Sequence, residues 1–524
     1  MEPLTTMRGG RVDEDSTRQA EPWPRPYRWG LILAALVGII GRVAYVDRPL
    51  DHRLLASWRE ADYTQIARNF YRGDLNILYP QIDWRGDTPG YVEMEFPLVP
   101  WLGAVLDRLA GYHEALVRVP SSIAAVAALL LFIWLCRRVL PPTGALFAAA
   151  AYAVHPQLIS LATSMQPESV MLLLSLLAMT LIWSWDERPR RATLFAAAAT
   201  VAAAILVKSP AAYLGLVLGY VVIRKRGWQA FTDVSNYAAA LVALAPPIAW
   251  YAWAAQFWVL YGNSLGVSNE SHFIGPDMLF PPRFLAGILK METRVFGVTG
   301  WLLAAAALTS LQARVRLALL WYGAVWVFYL LAARTSGDDW SFYYHSISVA
   351  PACLLAGAGV AALADGRVAA GRSAWTKTRQ RWAGLLLAAM TLMVLMRGTI
   401  LAIDFRDSKP SLLELRRCVL QFQPYVSATD LIVMRGGAAY DEYGHPVAYN
   451  ASMAFAWMDR KGFNFAIEEQ GAATLERIAA RGGRFWIAHK DELAHGELGR
   501  IVDTRYRRLA ACDGSYFLYD LRIR

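Results

Sequence analysis

Between residues 29 and 402 this chain repeats apolar runs, most of about 17–25 residues, the length that crosses a bilayer as a helix. That recurrence fixes the fold class: a polytopic α-helical membrane protein. The charged fraction agrees, at 18% against 56% hydrophobic, where a soluble chain usually carries about a quarter charged residues. The runs fall at about 29–46, 116–136, 144–163, 169–185, 193–207, 210–223 and 236–258. A pair follows around Arg314 and Arg316, then 345–364 and 383–402, for about eleven spans.

The net charge of +10 does not indicate nucleic acid. No motif of that class is present, and the basic residues gather in short clusters between the runs. These are Arg137 and Arg138; Arg188, Arg190 and Arg191; Arg224 to Arg226; Arg314 and Arg316; and Arg367 to Arg381. Alternating the sides of successive spans places every cluster, and the polar tail 1–28, in the cytoplasm, as the positive-inside pattern requires. Loops 47–113 and 259–295 then face outward, with the short turns at 164–168, 208–209 and 334–344. The first run lacks a cleavage site and reads as an anchor, not a signal peptide. Residues 29–402 form the membrane region. An odd span count puts residues 403–524 outside, where strand-like runs (430–434, 484–489, 515–521) alternate with helix-like ones (411–422, 472–480, 491–501), the pattern of a small α/β domain. Of four cysteines, Cys136 and Cys353 sit in apolar runs as core residues. Cys418 and Cys512 are either bridged or two free thiols.

The first outer loop holds most of the chemistry. Ser57 and Glu60 have capping-box spacing, so a helix starts there; Gly73 stops it. Tyr63, Ile66, Ala67 and Phe70 form its buried face. Asp62 falls outside the box; it is placed to pair with Arg59 three residues earlier, or simply to gain from the helix dipole. Further on, Glu93 and Glu95 lie against an apolar run, where acids are costly unless hydrated, paired or cation-bound; an extended backbone would put both on one side. Glu168 occupies the turn between the third and fourth spans, Lys208 that between the fifth and sixth. Tyr343, Tyr344 and His345 open a late span. Lys208 read blandly is a snorkelling lysine, and the tyrosines an interfacial belt. His272 and Arg294 in the second long loop are weaker ligand candidates. Asn269 and Asn450 begin N-x-S triplets, which matter only in a glycosylating host. An outer acid, a lysine and tyrosines at one bilayer face suit a lipid-linked phosphate substrate, with lysine neutralising phosphate and the acid taking a proton from a hydroxyl.

These motifs, in their order, resemble the GT-C superfamily of membrane glycosyltransferases, in the protein O-mannosyltransferase-like branch that includes lipid A aminoarabinose transferases. WREADYTQIARN is similar to the acidic motif of the family's first outer loop and sets Asp62 at the catalytic carboxylate. EFPLVPWL resembles the acid-Lys-Pro-Pro-Leu entry to the second membrane region, with Glu95 at the acid and Phe96 where lysine usually stands. QPES matches an acidic turn at Glu168, and LVKSP a Thr-Lys-Gly-Pro turn at Lys208, departing at Val207 and Ser209. FYYH matches the Tyr-Tyr start of a late span. The resemblance implies a polyprenyl-phosphate sugar donor, an acceptor on the extracytoplasmic side of the plasma (inner) membrane, and inversion at the anomeric carbon. Asp62 would be the general base and Lys208 the phosphate contact with Tyr343 and Tyr344; Glu60, Glu93, Glu95 and Glu168 would be supporting acids. In some relatives the acid at the Glu95 position helps bind a divalent metal, which makes Glu95 a metal candidate and His272 a second. Two other readings stay open: a transporter or flippase for a lipid-linked glycan, which would favour ionisable residues inside the spans, and a membrane scaffold whose outer domain binds a partner.

Overall fold

A computed structural model describes residues 23–50, 57–266, 281–308, 313–332, 334–364, 409–440, 449–494 and 496–522, with a few isolated positions between them. Its first part is helical: α1 (Arg25–Val43), α2 (Ser57–Arg72), α3 (Leu98–Ala110), α4 (Glu114–Val139), α5 (Pro142–Ala153), α6 (Pro156–Ala162), α7 (Glu168–Glu187), α8 (Arg191–Val207), α9 (Tyr213–Arg226), α10 (Val234–Tyr261), α11 (Pro282–Ala307), α12 (Ala313–Ala332) and α13 (Ser346–Ala364). Helices occupy the positions of the first ten apolar runs; most of the eleventh lies outside the described residues. Among the described residues, five helical stretches are long and apolar enough to cross a membrane, or six if the bent pair α5–α6 is one span. The shortfall from about eleven has visible causes. Pro156 breaks the third run, with a 51° bend between α5 and α6, because proline removes an amide donor and clashes with the preceding turn. Two more helices, α8 and α9, have only 17 and 14 residues.

At the centre lies α13, whose apolar stretch is 89% buried. Its glycines allow this. A side chain on Gly357 would strike the backbone of Gly144 in α5, and one on Gly359 the backbone of Leu303 in α11. Small residues thus bring three helix backbones close, the packing mode that works where lipid is as apolar as leucine.

Two stretches read as loop are helical. Leu98–Ala110 forms α3 after Pro97, burying Val99, Gly103, Ala104 and Asp107 at helical spacing, and ends at Gly111 with φ 90°. The second long loop gives way to helix at Pro282, a favoured first-turn residue, so Arg294 lies in α11 and not in a loop. That helix kinks at Gly297, φ 68°. His272 and Asn269 fall outside the described residues.

The C-terminal residues contain α14 (Pro410–Phe422), β1 (Leu431–Arg435), α15 (Ser452–Met458), β2 (Gly462–Phe465), α16 (Ala472–Ala480), β3 (Gly483–His489), α17 (Lys490–Leu493), α18 (Gly496–Arg505), β4 (Arg507–Cys512) and β5 (Tyr516–Asp520). The strand order is β2-β1-β3-β5-β4. β1 runs parallel to β2 and β3, and β5 antiparallel to β3 and β4. This sheet does not close its core alone. Ile66, Ala67 and Phe70 of α2 share one buried cluster with Phe455 and Met458 of α15 and Ile432 and Ile487 of the sheet.

Cys418 in α14 and Cys512 in β4 are bridged, closing a sequence separation of 94 residues. A cross-link over so long a loop restricts the unfolded chain and typically stabilises by about 2–4 kcal/mol. Cys418→Ser is therefore expected to lower the unfolding temperature in detergent, and reductant to do the same to the parent. A parent insensitive to reductant would deny the bridge this role.

Candidate active site

Helix α2 presents three faces with different tasks. Tyr63, Ile66, Ala67 and Phe70 are buried in the core. Asp62, Gln65, Arg68 and Arg72, spaced by three or four residues, meet the C-terminal segment. The Gln65 side-chain amide donates to the Ser452 carbonyl (2.8 Å), Arg68 donates to the Ala456 carbonyl (3.0 Å), and Arg72 pairs with Asp459. Arg59 points elsewhere, to Glu95.

Asp62 is fully buried and held by three donors. The Trp84 indole N–H gives 2.7 Å to Oδ1, the Ser452 hydroxyl 2.5 Å to the same oxygen, and the Asn450 amide 2.8 Å to Oδ2. Asn450 also donates to the Ser452 hydroxyl oxygen, 2.6 Å. A carboxylate oxygen accepts about two in-plane hydrogen bonds. Oδ1 is therefore filled, and Oδ2 keeps one open position. Burial pushes the Asp62 carboxyl up to about 6, although hydrogen bonds from Ser452, Trp84 and Asn450 and the charge of Arg59 pull the other way. The expected Asp62–Arg59 ion pair does not form, because Glu95 draws the guanidinium away. Trp84, Asn450 and Ser452 were not anticipated in this role. Asn450 and Ser452 lie 388 and 390 residues from Asp62, beyond any local periodicity.

A second group surrounds Glu95. Arg59 Nη2 contacts both carboxylate oxygens at 3.0 and 3.1 Å, the Tyr63 hydroxyl donates at 2.6 Å and Lys208 Nζ at 3.0 Å. Lys208 also pairs with Glu168 at 2.8 Å, and its ammonium lies 5.5 and 6.0 Å from the ring centroids of Tyr343 and Tyr344. Burial pushes the Glu95 carboxyl up, but Arg59, Lys208 and the Tyr63 hydroxyl outweigh it and hold it well below the usual range. So Glu95, Glu168, Lys208, Tyr343 and Tyr344 meet, and Arg59 on α2 links them to Asp62 one helical turn away. Phe96, in the place of the motif lysine, packs edge-on against Trp250.

Two predicted acids stand apart. Glu60 is buried, and its carboxylate faces Arg48 at 3.1 Å and Arg118 at 3.5 Å. Glu93 does not share a side with Glu95. Its backbone pairs with Asn263 and Leu265, and its carboxylate takes the Ser264 hydroxyl. Glu95 already pairs with two buried cations, Arg59 and Lys208. No group of three His, Cys, Asp or Glu side chains that could hold a metal occurs among the described residues.

Beside the tyrosines is an unanticipated pair. Glu292 of α11 and His345 are fully buried. His345 Nε2 lies 2.8 Å from the Ser336 carbonyl and Nδ1 lies 2.5 Å from Glu292 Oε1. A carbonyl only accepts, so Nε2 is the donor to Ser336. Tyr322 and Ser348 hydroxyls complete the carboxyl at 2.7 and 2.9 Å. The pair fixes the segment that bears Tyr343 and Tyr344 to α11. An apolar cavity of about 330 Å³ is lined by Phe147, Phe296, Val349, Ala352 and Cys353, with His155 and Arg294 at its polar part. The Arg294 guanidinium sits 5.9 Å from the Phe342 ring centroid, next in sequence to Tyr343.

Comparison with known proteins bears on this geometry. Residues 88–253, which include Glu95, Glu168 and Lys208 but not Asp62, match the model of a family described as dolichyl-phosphate-mannose-protein mannosyltransferase. Among solved structures, ArnT from Cupriavidus metallidurans bound to undecaprenyl phosphate aligns with a TM-score of 0.61 at 14% identity, over 94% of this chain and 98% of that one. The Archaeoglobus fulgidus oligosaccharyltransferase in its apo form aligns at 0.56 and 12% identity, over 94% of this chain and 74% of that one. AglB of the same organism, in complex with an inhibitory peptide and a dolichol-phosphate, aligns at 0.51 and 12% over the same shares. No curated protein matches the sequence.

Proposed function

Because this chain carries the GT-C fold of multi-pass membrane glycosyltransferases, we propose that it moves a sugar from a polyprenyl-phosphate donor to a hydroxyl acceptor at the extracytoplasmic face of the plasma membrane. One observation supports this most. Arg59, which pairs with Glu95 of the Glu95–Lys208–Glu168 group, stands one helical turn before Asp62, a buried carboxylate with one open acceptor position, and this supports reading the two as phosphate subsite and base. In this reading the acceptor oxygen attacks the anomeric carbon, its proton passes to Asp62 Oδ2, and the bond from that carbon to the phosphate oxygen breaks. The electron pair leaves with the polyprenyl phosphate, and the configuration inverts. Lys208 and Arg59 offset the charge growing on the leaving phosphate, the kind of preorganised electrostatic help that contributes most to such steps. Until donor binds, Glu95 and Glu168 keep these cations in place. The apolar cavity lined by Phe147 and Phe296 holds the start of the lipid tail. No step is routed through a metal. The acceptor hydroxyl belongs to a lipid, a polysaccharide or a protein.

The base requirement gives the reading its test. A carboxyl near 6 must be ionised to accept a proton, so transfer should rise with pH through about 6 and then level off. Ser452→Ala removes a hydrogen bond that favours the ionised form, so its acid limb should move to higher pH; turnover should drop by roughly tenfold, the scale of a lost charge-assisted hydrogen bond. An unshifted limb would remove Ser452 from this role. The Glu292–His345 pair favours the rival reading, glycolipid transport, since buried ionisable pairs mark such pathways. Lipid movement that survives Asp62→Asn, with no sugar transfer by the parent, would decide for transport.

A further inference from the structure

Away from Asp62, Asp83, Arg85 and the residues Asp459, Arg460 and Lys461 that lead into β2 line a charged cleft of about 240 Å³. Backbone bonds fasten its two walls: the Gly462 amide donates to the Asp83 carbonyl (2.9 Å) and the Gly86 amide to the Gly462 carbonyl (2.7 Å). Arg85 and Lys461, each next in sequence to a residue of this clamp, are thereby held on facing walls. The charges around them do not balance. Each carboxylate lining the cleft already serves an arginine: Asp83 pairs with Arg68, Asp459 with Arg68 and Arg72, and Asp430 with Arg484. Arg460 donates its N–H groups to the carbonyls of Val426, Met458 and Asp459 and so brings its charge without a carboxylate. Neither Arg85 nor Lys461 has a carboxylate partner among the described residues, and Arg85 Nε is buried without an acceptor. Burial lowers the Lys461 ammonium pKa; Asp83 opposes this, and Arg85, Arg72 and Arg68 add to it. Cations brought together by a rigid backbone clamp repel one another, and half-buried ones gain little from water. Arg and Lys on opposite walls suit an oxyanion, a planar fork on one side and a point charge on the other.

We propose that this cleft is a binding site for a phosphate-class oxyanion, with Arg85 and Lys461 as its principal ligands. Trp84, between Asp83 and Arg85, donates to Asp62, so an occupant of the cleft bears on the same strip of backbone that steadies the candidate base. The anion is either the headgroup of a lipid or a phosphate free or borne on a soluble acceptor.

The probe is inorganic pyrophosphate, titrated calorimetrically into the full chain in phosphatidylcholine nanodiscs at constant ionic strength. The parent should bind it. Replacing both Arg85 and Lys461 by glutamine should weaken binding by about tenfold or more, as expected when two charge-assisted contacts are lost. Lys461→Arg, which keeps the charge, should stay within about threefold and controls for folding. Discs containing phosphatidic acid separate the sources. Competition that weakens pyrophosphate binding in the parent but not in the double variant identifies a headgroup; equal binding in both discs identifies a water-borne phosphate. Absence of binding by the parent, or equal binding by the double variant, overturns the proposal. Asp62→Asn should bind pyrophosphate as the parent does, so the result stands apart from the fate of the transferase reading.

Discussion

Asp62→Asn is expected to reduce sugar transfer from a polyprenyl-phosphate donor by about 10²–10⁴-fold, the range that positioned general bases contribute. The substitution preserves shape and removes the proton acceptor. Its local cost is foreseeable. Asparagine retains one carbonyl oxygen for Trp84 and Ser452, but its amide then faces the Asn450 amide, donor against donor. One buried donor left without an acceptor costs about 1–3 kcal/mol, so the variant should fold with a modestly lower unfolding temperature. Transfer and thermal unfolding measured on one purified preparation separate the two effects. A variant that transfers sugar at the parental rate would end the assignment of Asp62 as base.

Glu95→Gln should produce the largest loss of stability, about 3–5 kcal/mol, the cost typical of removing one partner from a buried ion pair. Arg59 would keep no carboxylate among the described residues, and Lys208 only Glu168. Glu95→Asp restores the charge one methylene short and should recover part of the loss. The pH dependence follows from the sign of the shift. A carboxyl whose pKa is depressed in the folded state stabilises fully above its unfolded value, near 4.5, and loses this progressively as pH falls below that value. The parent should thus gain nothing from Glu95 titration between pH 5 and 8, and the gap between parent and Glu95→Gln should stay constant there. Equal unfolding temperatures for the two would show that the group is not balanced by this charge.

What could be read in advance follows the reach of each physical signal. Apolar run length located ten helices, and i, i+3, i+4 spacing picked out the buried face of α2. Order of motifs along the chain brought Glu95, Glu168, Lys208 and the tyrosines to one list, and the fold sets them in contact. Signals failed where the partner is remote or the cue is shared by several structures. Asn450 looked like a glycosylation triplet because nothing in N-A-S marks it as a neighbour of a residue 388 positions earlier. Leu98–Ala110 was hidden by two prolines, although Pro97 precedes the helix and Pro100 falls in its first turn, where no amide bond is lost. Glu292 was absorbed into a loop because the helix that carries it begins at Pro282, inside the stretch read as loop. The Cys418–Cys512 bridge was undecidable from spacing, since a separation of 94 residues fits both states.

The contact of Asn450 and Ser452 with Asp62 has a consequence for biogenesis. Asp62 emerges from the ribosome early, and two of the side chains that hold its carboxylate, Asn450 and Ser452, come only after every helix up to α13 has been made. A message truncated after the codon for Ala364 and before that for Asn450 would still encode the membrane helices through α13, yet the carboxylate near its amino end would have neither amide nor hydroxyl from the missing segment. Such products would be expected to occupy the bilayer without the finished centre, so the order of synthesis itself delays activity until the last portion of the polypeptide has docked.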